Sequence, residues 1–100
     1  MDKHAVARIL DEIGILLELQ GENPFKIRAY HTAARTIETL EESLDTVVEQ
    51  MRLETLPGIG KELAKKIATL VHTGSLPYYE ELKKSIPEGL LELLKIPGIG

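Results

Sequence analysis

Apolar residues recur at helical spacing through most of the chain and divide it into short amphipathic pieces. Ala5, Ile9, Ile13, Leu16 and Leu17 fall on one face and predict a first helix from about Lys3 to Gln20, stopping near Gly21. Asn23 before Pro24 reads as a helix start, with Asn as the cap and Pro where its missing N–H costs nothing. The second helix then runs to about Leu40 on a stripe of Ile27, Tyr30, Ala34 and Ile37, and Ala29, Ala33 and Ala34 let a neighbour come close. Ser43 is placed to cap a short third helix carrying Leu44, Val47, Val48 and Met51. A fourth, from about Gly60 to His72, buries Leu63, Ile67, Leu70 and Val71 and ends at Gly74. Pro77 starts a fifth through Tyr78, Tyr79, Leu82 and Lys83. Ser85 with Glu88, and Pro87 between them, has the form of a capping box that opens a sixth through Leu90, Leu91, Leu93 and Leu94. The fold class expected is all-α.

Between the third and fourth helices stands Pro57-Gly-Ile-Gly60, led by Leu56, and the same four residues return at Pro97-Gly-Ile-Gly100, led by Ile96. Two glycines around one aliphatic residue give a tight hairpin whose backbone can approach a partner, because no Cβ stands in the way. The helix that follows presents unpaired N–H groups and its positive dipole end, a ready anion site for which phosphate is the obvious ligand. The chain stops inside the second copy. A fragment of a longer protein with tandem modules is expected, rather than a solenoid, which needs about three stacked units.

With 100 residues, 43% of them apolar and only 4% aromatic, the chain can form one or two small helical units with a thin core and no large enzyme pocket. It has no cysteine, which excludes disulfides and thiolate metal sites and suggests a reducing, cytoplasmic setting. No apolar run reaches the roughly 18 residues of a membrane span, and no secretory leader opens the sequence. A formal charge of −4 argues against strong nonspecific nucleic-acid binding. The charge is uneven, however. Asn23 to Ile37 holds no acid but carries Lys26, Arg28, His31 and Arg35, and Lys61, Lys65 and Lys66 face only Glu62 in the fourth helix. Acids collect in Asp11, Glu12 and Glu18 and again in Glu38, Glu41, Glu42, Asp45 and Glu49. Such a distribution either orients a charged partner or simply solvates two helix faces. Lys61, Lys65 and His72 lie opposite the buried stripe of the fourth helix. Lys66 sits at its edge, where a lysine stem covers core and its amine opens into a cleft.

Leu56-Pro-Gly-Ile-Gly-Lys-Glu-Leu-Ala-Lys-Lys-Ile67 resembles the helix-hairpin-helix motif. Asn23-Pro-Phe-Lys-Ile-Arg-Ala-Tyr-His-Thr-Ala-Ala-Arg35 is similar to the second helix of the small N-terminal domain of family X DNA polymerases, those of bacteria and archaea above all. The resemblance implies a four-helix lyase-type domain over residues 1–79 and, over 80–100, the start of a fingers (or thumb) subdomain with an incomplete second hairpin. It implies a monomer that grips the 5′-phosphate side of gapped or nicked DNA in repair. The imine-forming position, for removal of a 5′-deoxyribose phosphate by β-elimination, falls on Lys66. Such a lysine attacks only when neutral, and Lys61 and Lys65 are expected to press on it with positive charge. Lys26 and Tyr30 match the phosphate pocket, and the backbone grip falls on Gly58, Ile59, Gly60, Lys61 and Lys65, with Arg28 and His31 nearby. Tyr30 also belongs to the apolar stripe and reads equally as a core aromatic. Phe25 matches a residue that stacks on a template base, and reads equally as a hydrophobic staple at the helix entry.

The resemblance further implies a sodium or potassium ion on the main-chain carbonyls of Glu54, Leu56 and Ile59. Magnesium would belong to a polymerase active site outside these residues, since Asp2, Asp11 and Asp45 are too scattered to hold it and the three histidines are isolated. Two departures stand out. Glu62 and Glu54 occupy places where vertebrate lyase domains carry lysines, and a carboxylate there repels a phosphate unless Lys61, Arg28 or Arg8 offsets it. The alternative is a noncatalytic hairpin scaffold that holds duplex backbone or another domain.

Overall fold

The structure, a computed structural model, describes residues 1–98. Among the described residues it is all-helical: α1 (Lys3–Leu19), α2 (Pro24–Glu38), α3 (Leu44–Glu49), a 3₁₀ turn (Leu53–Thr55), α4 (Lys61–Thr73), α5 (Pro77–Lys84) and α6 (Glu88–Leu93). The expected all-α class and six helices are found. The last two residues of the second hairpin, Ile99 and Gly100, lie outside the described residues.

α1 and α2 form the antiparallel pair on which the rest is built. Asp11 meets His31, and Glu38 near the end of α2 meets His4 near the start of α1. The two helices approach closely at Gly14, where a Cβ would fall 2.7 Å from the His31 ring. Between them and α3 to α6 lies one core in which Leu10, Ile13, Leu16, Leu17, Ile37, Ile67, Leu70 and Leu91 are fully buried. Each such side chain contributes roughly 1.5–3 kcal/mol relative to exposure. Helix starts and stops are mostly those read from the chain. Asp2 and Asn23 accept from the amides of Ala5 and Phe25, both at 2.8 Å, and Gly74 closes α4 in the left-handed conformation.

α5 docks on α1 through a buried polar contact. The Tyr79 hydroxyl donates to the Glu12 carboxylate, which also accepts from Arg8 at 3.3 Å. Burial, followed by the Glu12 partner, holds the Tyr79 phenol well above the ordinary tyrosine range. α5 crosses residue 79, the expected limit of the first unit, and buries Tyr79 and Leu82 on the same core as α1.

Four sequence expectations are corrected. Glu12, grouped with surface acids, is buried because Tyr79 and Arg8 satisfy it. Met51, placed on the apolar face of α3, lies past the helix end at φ 55° and is 90% exposed. There its amide and that of Arg52 bond back to Val48 and Val47 and turn the side chain outward. Ser85 does not cap α6. It is the C-cap of α5 in αR conformation, donating to the Leu82 carbonyl at 2.7 Å and accepting from Gln20 at 2.6 Å, and α6 opens behind Pro87. Ser43 does precede α3, but makes no side-chain capping bond.

Candidate functional site

The first hairpin is fastened to α2. Thr36 Oγ1 donates to the Pro57 carbonyl at 2.8 Å, and Ile59 is buried beneath the turn. Gly58 has φ 78°, and a Cβ there would lie 2.7 Å from Thr32 Cγ2, so this position needs glycine for both its dihedral and its packing. Gly60 differs. It precedes α4 with extended backbone and no side-chain cap, and a Cβ there would meet nothing within 4 Å. The protein's own packing therefore gives no reason for Gly60 to lack a side chain.

Beside the hairpin, three helices bring four aromatic and basic side chains together. Tyr30 of α2 is buried, and its ring stacks on that of Tyr78 from α5, with centroids 6.4 Å apart and planes at 15°. Lys66 of α4 lies over the Tyr78 ring at 4.6 Å, and Lys26 of α2 over the same ring at 5.9 Å. Each amine has one carboxylate neighbour, Glu62 at 3.7 Å from Lys66 and Glu22 at 3.9 Å from Lys26. Lys66 is only 20% exposed, whereas Glu62 is 82% exposed. Burial first, then Tyr78 and Glu62, raises the Tyr30 phenol well above its ordinary value. Its hydroxyl stays protonated at neutral pH and can donate a hydrogen bond. Two ammonium groups and the Tyr30 hydroxyl are a donor set that suits a phosphate monoester.

The other predicted site residues are divided among different surfaces. Lys61 and Lys65 line, with Glu54, Val48, Met51, Leu53, Ala64 and Ala68, an open cavity of about 230 Å³ on the α3 side of α4. Lys66 instead meets Glu62, so the expected press of positive charge is replaced by an ion pair. The offset to Glu62 comes from Lys66 itself. Arg8 is engaged with Glu12, and Arg28 lies with Glu18 and Glu22 around the α1–α2 turn. His31 points back at Asp11, 2.9 Å away, on the α1 side of α2. Phe25 is 77% exposed and packs as no staple. In the hairpin the Leu56 carbonyl accepts from the Ile59 amide at 3.2 Å, and Glu54 is exposed. Among the described residues no three His, Cys, Asp or Glu side chains come together as a metal site.

Tyr78 is the member sequence reasoning missed. The signal was the Tyr-Tyr pair behind Pro77: neighbours on a helix point about 100° apart, so when Tyr79 enters the core Tyr78 must face its flank.

The helix-hairpin-helix domain family matches residues 1–76. Over its 100 residues the chain is 39% identical to the DNA polymerase/3′-5′ exonuclease PolX of Bacillus subtilis (strain 168), all of this chain aligning with 17% of that protein. It thus spans about a sixth of the relative's length. No helix among the described residues is long and apolar enough to cross a membrane. The fastened glycine hairpin, the all-helical core and these two matches show that the chain belongs to the helix-hairpin-helix domain family, in the form carried by family X DNA polymerases.

Proposed function

We propose that the chain grips DNA at the 5′-phosphate side of a gap or nick, as the DNA-binding module of a family X repair polymerase working as a monomer in the cytoplasm. The observation that carries this reading is that Lys26 and Lys66, from separate helices, both lie over the ring of Tyr78, which stacks on buried Tyr30. A terminal phosphate differs from a backbone phosphate by its second negative charge. Two ammonium groups held at one ring reward that difference through charge-assisted hydrogen bonds. The amides of Gly58, Gly60 and Lys61 take a neighbouring backbone phosphate, which the bare outer side of Gly60 admits. A sodium or potassium ion on the carbonyls of Glu54, Leu56 and Ile59 would extend that grip through hard, weakly held oxygen ligands. Phe25, exposed at the start of α2, offers a face to an unpaired template base.

Lys66 is also the amine positioned to attack the C1′ aldehyde of a 5′-deoxyribose phosphate. The imine forms with loss of water; removal of a C2′ proton then breaks the C3′–O bond, so that the phosphate leaves on the 5′ end of the downstream strand, and water hydrolyses the imine to free the amine. A second reading, a noncatalytic hairpin scaffold on duplex backbone, is favoured by one observation, the pairing of Lys66 with Glu62. Two measurements decide. Gapped DNA with a 5′-phosphate should bind more tightly than the 5′-hydroxyl form; equal affinities sink the end-gripping reading. Borohydride should trap the chain on an incised abasic end, and Lys66→Ala should abolish the adduct. Phosphate preference without any adduct leaves a binding module with no lyase chemistry.

A further inference from the structure

We infer that Tyr78 is a positioning residue of this site, its ring holding the amines of Lys26 and Lys66 together as a preformed two-ammonium clamp for a terminal phosphate. The inference rests on the end-gripping reading above. Lysine side chains are long and lose much rotamer freedom when fixed, so two amines from different helices do not converge unless something holds them. Of the two amines, Glu22 meets only Lys26, and Glu62 only Lys66. The Tyr78 ring meets both, at 5.9 Å and 4.6 Å. An aromatic face attracts cations without neutralising them, so the pair keeps its charge for an incoming anion, which a shared carboxylate would cancel.

The ring is itself held in place. It stacks on buried Tyr30, it follows Pro77 at the first turn of α5, and the next residue, Tyr79, is rooted in the core on Glu12. Three elements, α2, α4 and α5, therefore meet at one phenol. Tyr78 need not touch the phosphate to act. Its part is to order the groups that do.

The test uses the whole chain and two gapped oligonucleotides, one with a 5′-phosphate and one with a 5′-hydroxyl, and reads the ratio of their affinities. Tyr78→Leu should reduce that ratio roughly five- to thirtyfold, two cation–π contacts being lost, while the 5′-hydroxyl affinity holds. Tyr78→Phe, which keeps the ring, should leave the ratio unchanged. In the free protein, the upfield ring-current shifts of the Lys26 and Lys66 ε-protons should vanish in Tyr78→Leu and persist in Tyr78→Phe. Should Tyr78→Leu fail to fold, Tyr78→Trp serves instead and should hold or raise the ratio. An unchanged ratio in Tyr78→Leu overturns the inference, as does a fall in Tyr78→Phe or Tyr78→Trp. A wild-type chain with no phosphate preference overturns the end-gripping reading first, and is recognised because the failure appears before any substitution.

Discussion

Replacing Glu62 by glutamine should tighten the hold on a 5′-phosphate. The Glu62 carboxylate lies 3.7 Å from Lys66 Nζ, so a phosphate resting on that amine comes within about 5 Å of it, close enough for appreciable repulsion. Because Glu62 is 82% exposed, the water-like limit applies. There a unit pair at this distance is worth about 1 kcal/mol; the phosphate's extra charge raises that figure and physiological salt about halves it. The net expectation is about 1 kcal/mol, or roughly a fivefold lower Kd, and the gain should shrink as salt is raised. The substitution also removes an acid from the first turn of α4 and an i,i+4 pair, so stability falls by a few tenths of a kcal/mol. Fluorescence anisotropy with phosphorylated and hydroxyl-ended gaps separates the two effects. An equal gain on both ligands, or none on the phosphorylated one, would refute the placement of Glu62 beside the bound phosphate.

Three further outcomes are expected. Met51→Gly should raise stability by about 0.5–1 kcal/mol in urea unfolding, since the residue sits at φ 55° with an exposed side chain and glycine carries no left-handed penalty. Gly58→Ala should cost at least about 1–2 kcal/mol from its φ of 78° and the Thr32 contact, while Gly60→Ala, with open space for its Cβ, should leave melting nearly unchanged and weaken DNA binding. The Tyr30 and Tyr79 phenols are both raised above the usual 10.0, chiefly by burial. The folded state therefore favours their neutral forms, and their contribution is complete below about pH 10 and lost as pH climbs beyond it. Urea midpoints followed from neutral to strongly alkaline pH should fall above that value, and less steeply in Tyr79→Phe.

Local rules located most of the frame. Helical periodicity, the Asn23-Pro24 start and the glycine hairpin placed α1 to α4 within a residue or two, because those signals depend on neighbours along the chain. The resemblance, rather than local spacing alone, grouped Lys26, Tyr30 and Lys66, and Lys26 and Tyr30 share a face through their i,i+4 spacing on α2. Tyr78 was not, because its direction depends on how α5 docks, and that is fixed by the contact of Tyr79 with Glu12, far apart in sequence. Glu12 could not be recognised as interior for the same reason: a buried carboxylate is tolerable only with partners supplied by another element. Lys61 and Lys65 share a helix with Lys66 yet look across a different cavity. Net charge by segment carries no record of that division.

α2 has a geometrical role larger than its contribution to the core. Its first turns carry Lys26 and Tyr30, the residues proposed to meet a strand end, and its later turns, through Thr32 and Thr36, carry the hairpin. One rigid rod thus spaces the lysine cluster and the hairpin, and at 1.5 Å per residue Lys26 and Thr36 stand about 15 Å apart along its axis. α2 acts as a calliper. Lengthening it by a single residue between those points would turn one jaw by about 100° against the other, so neither could be reset without re-registering the whole rod.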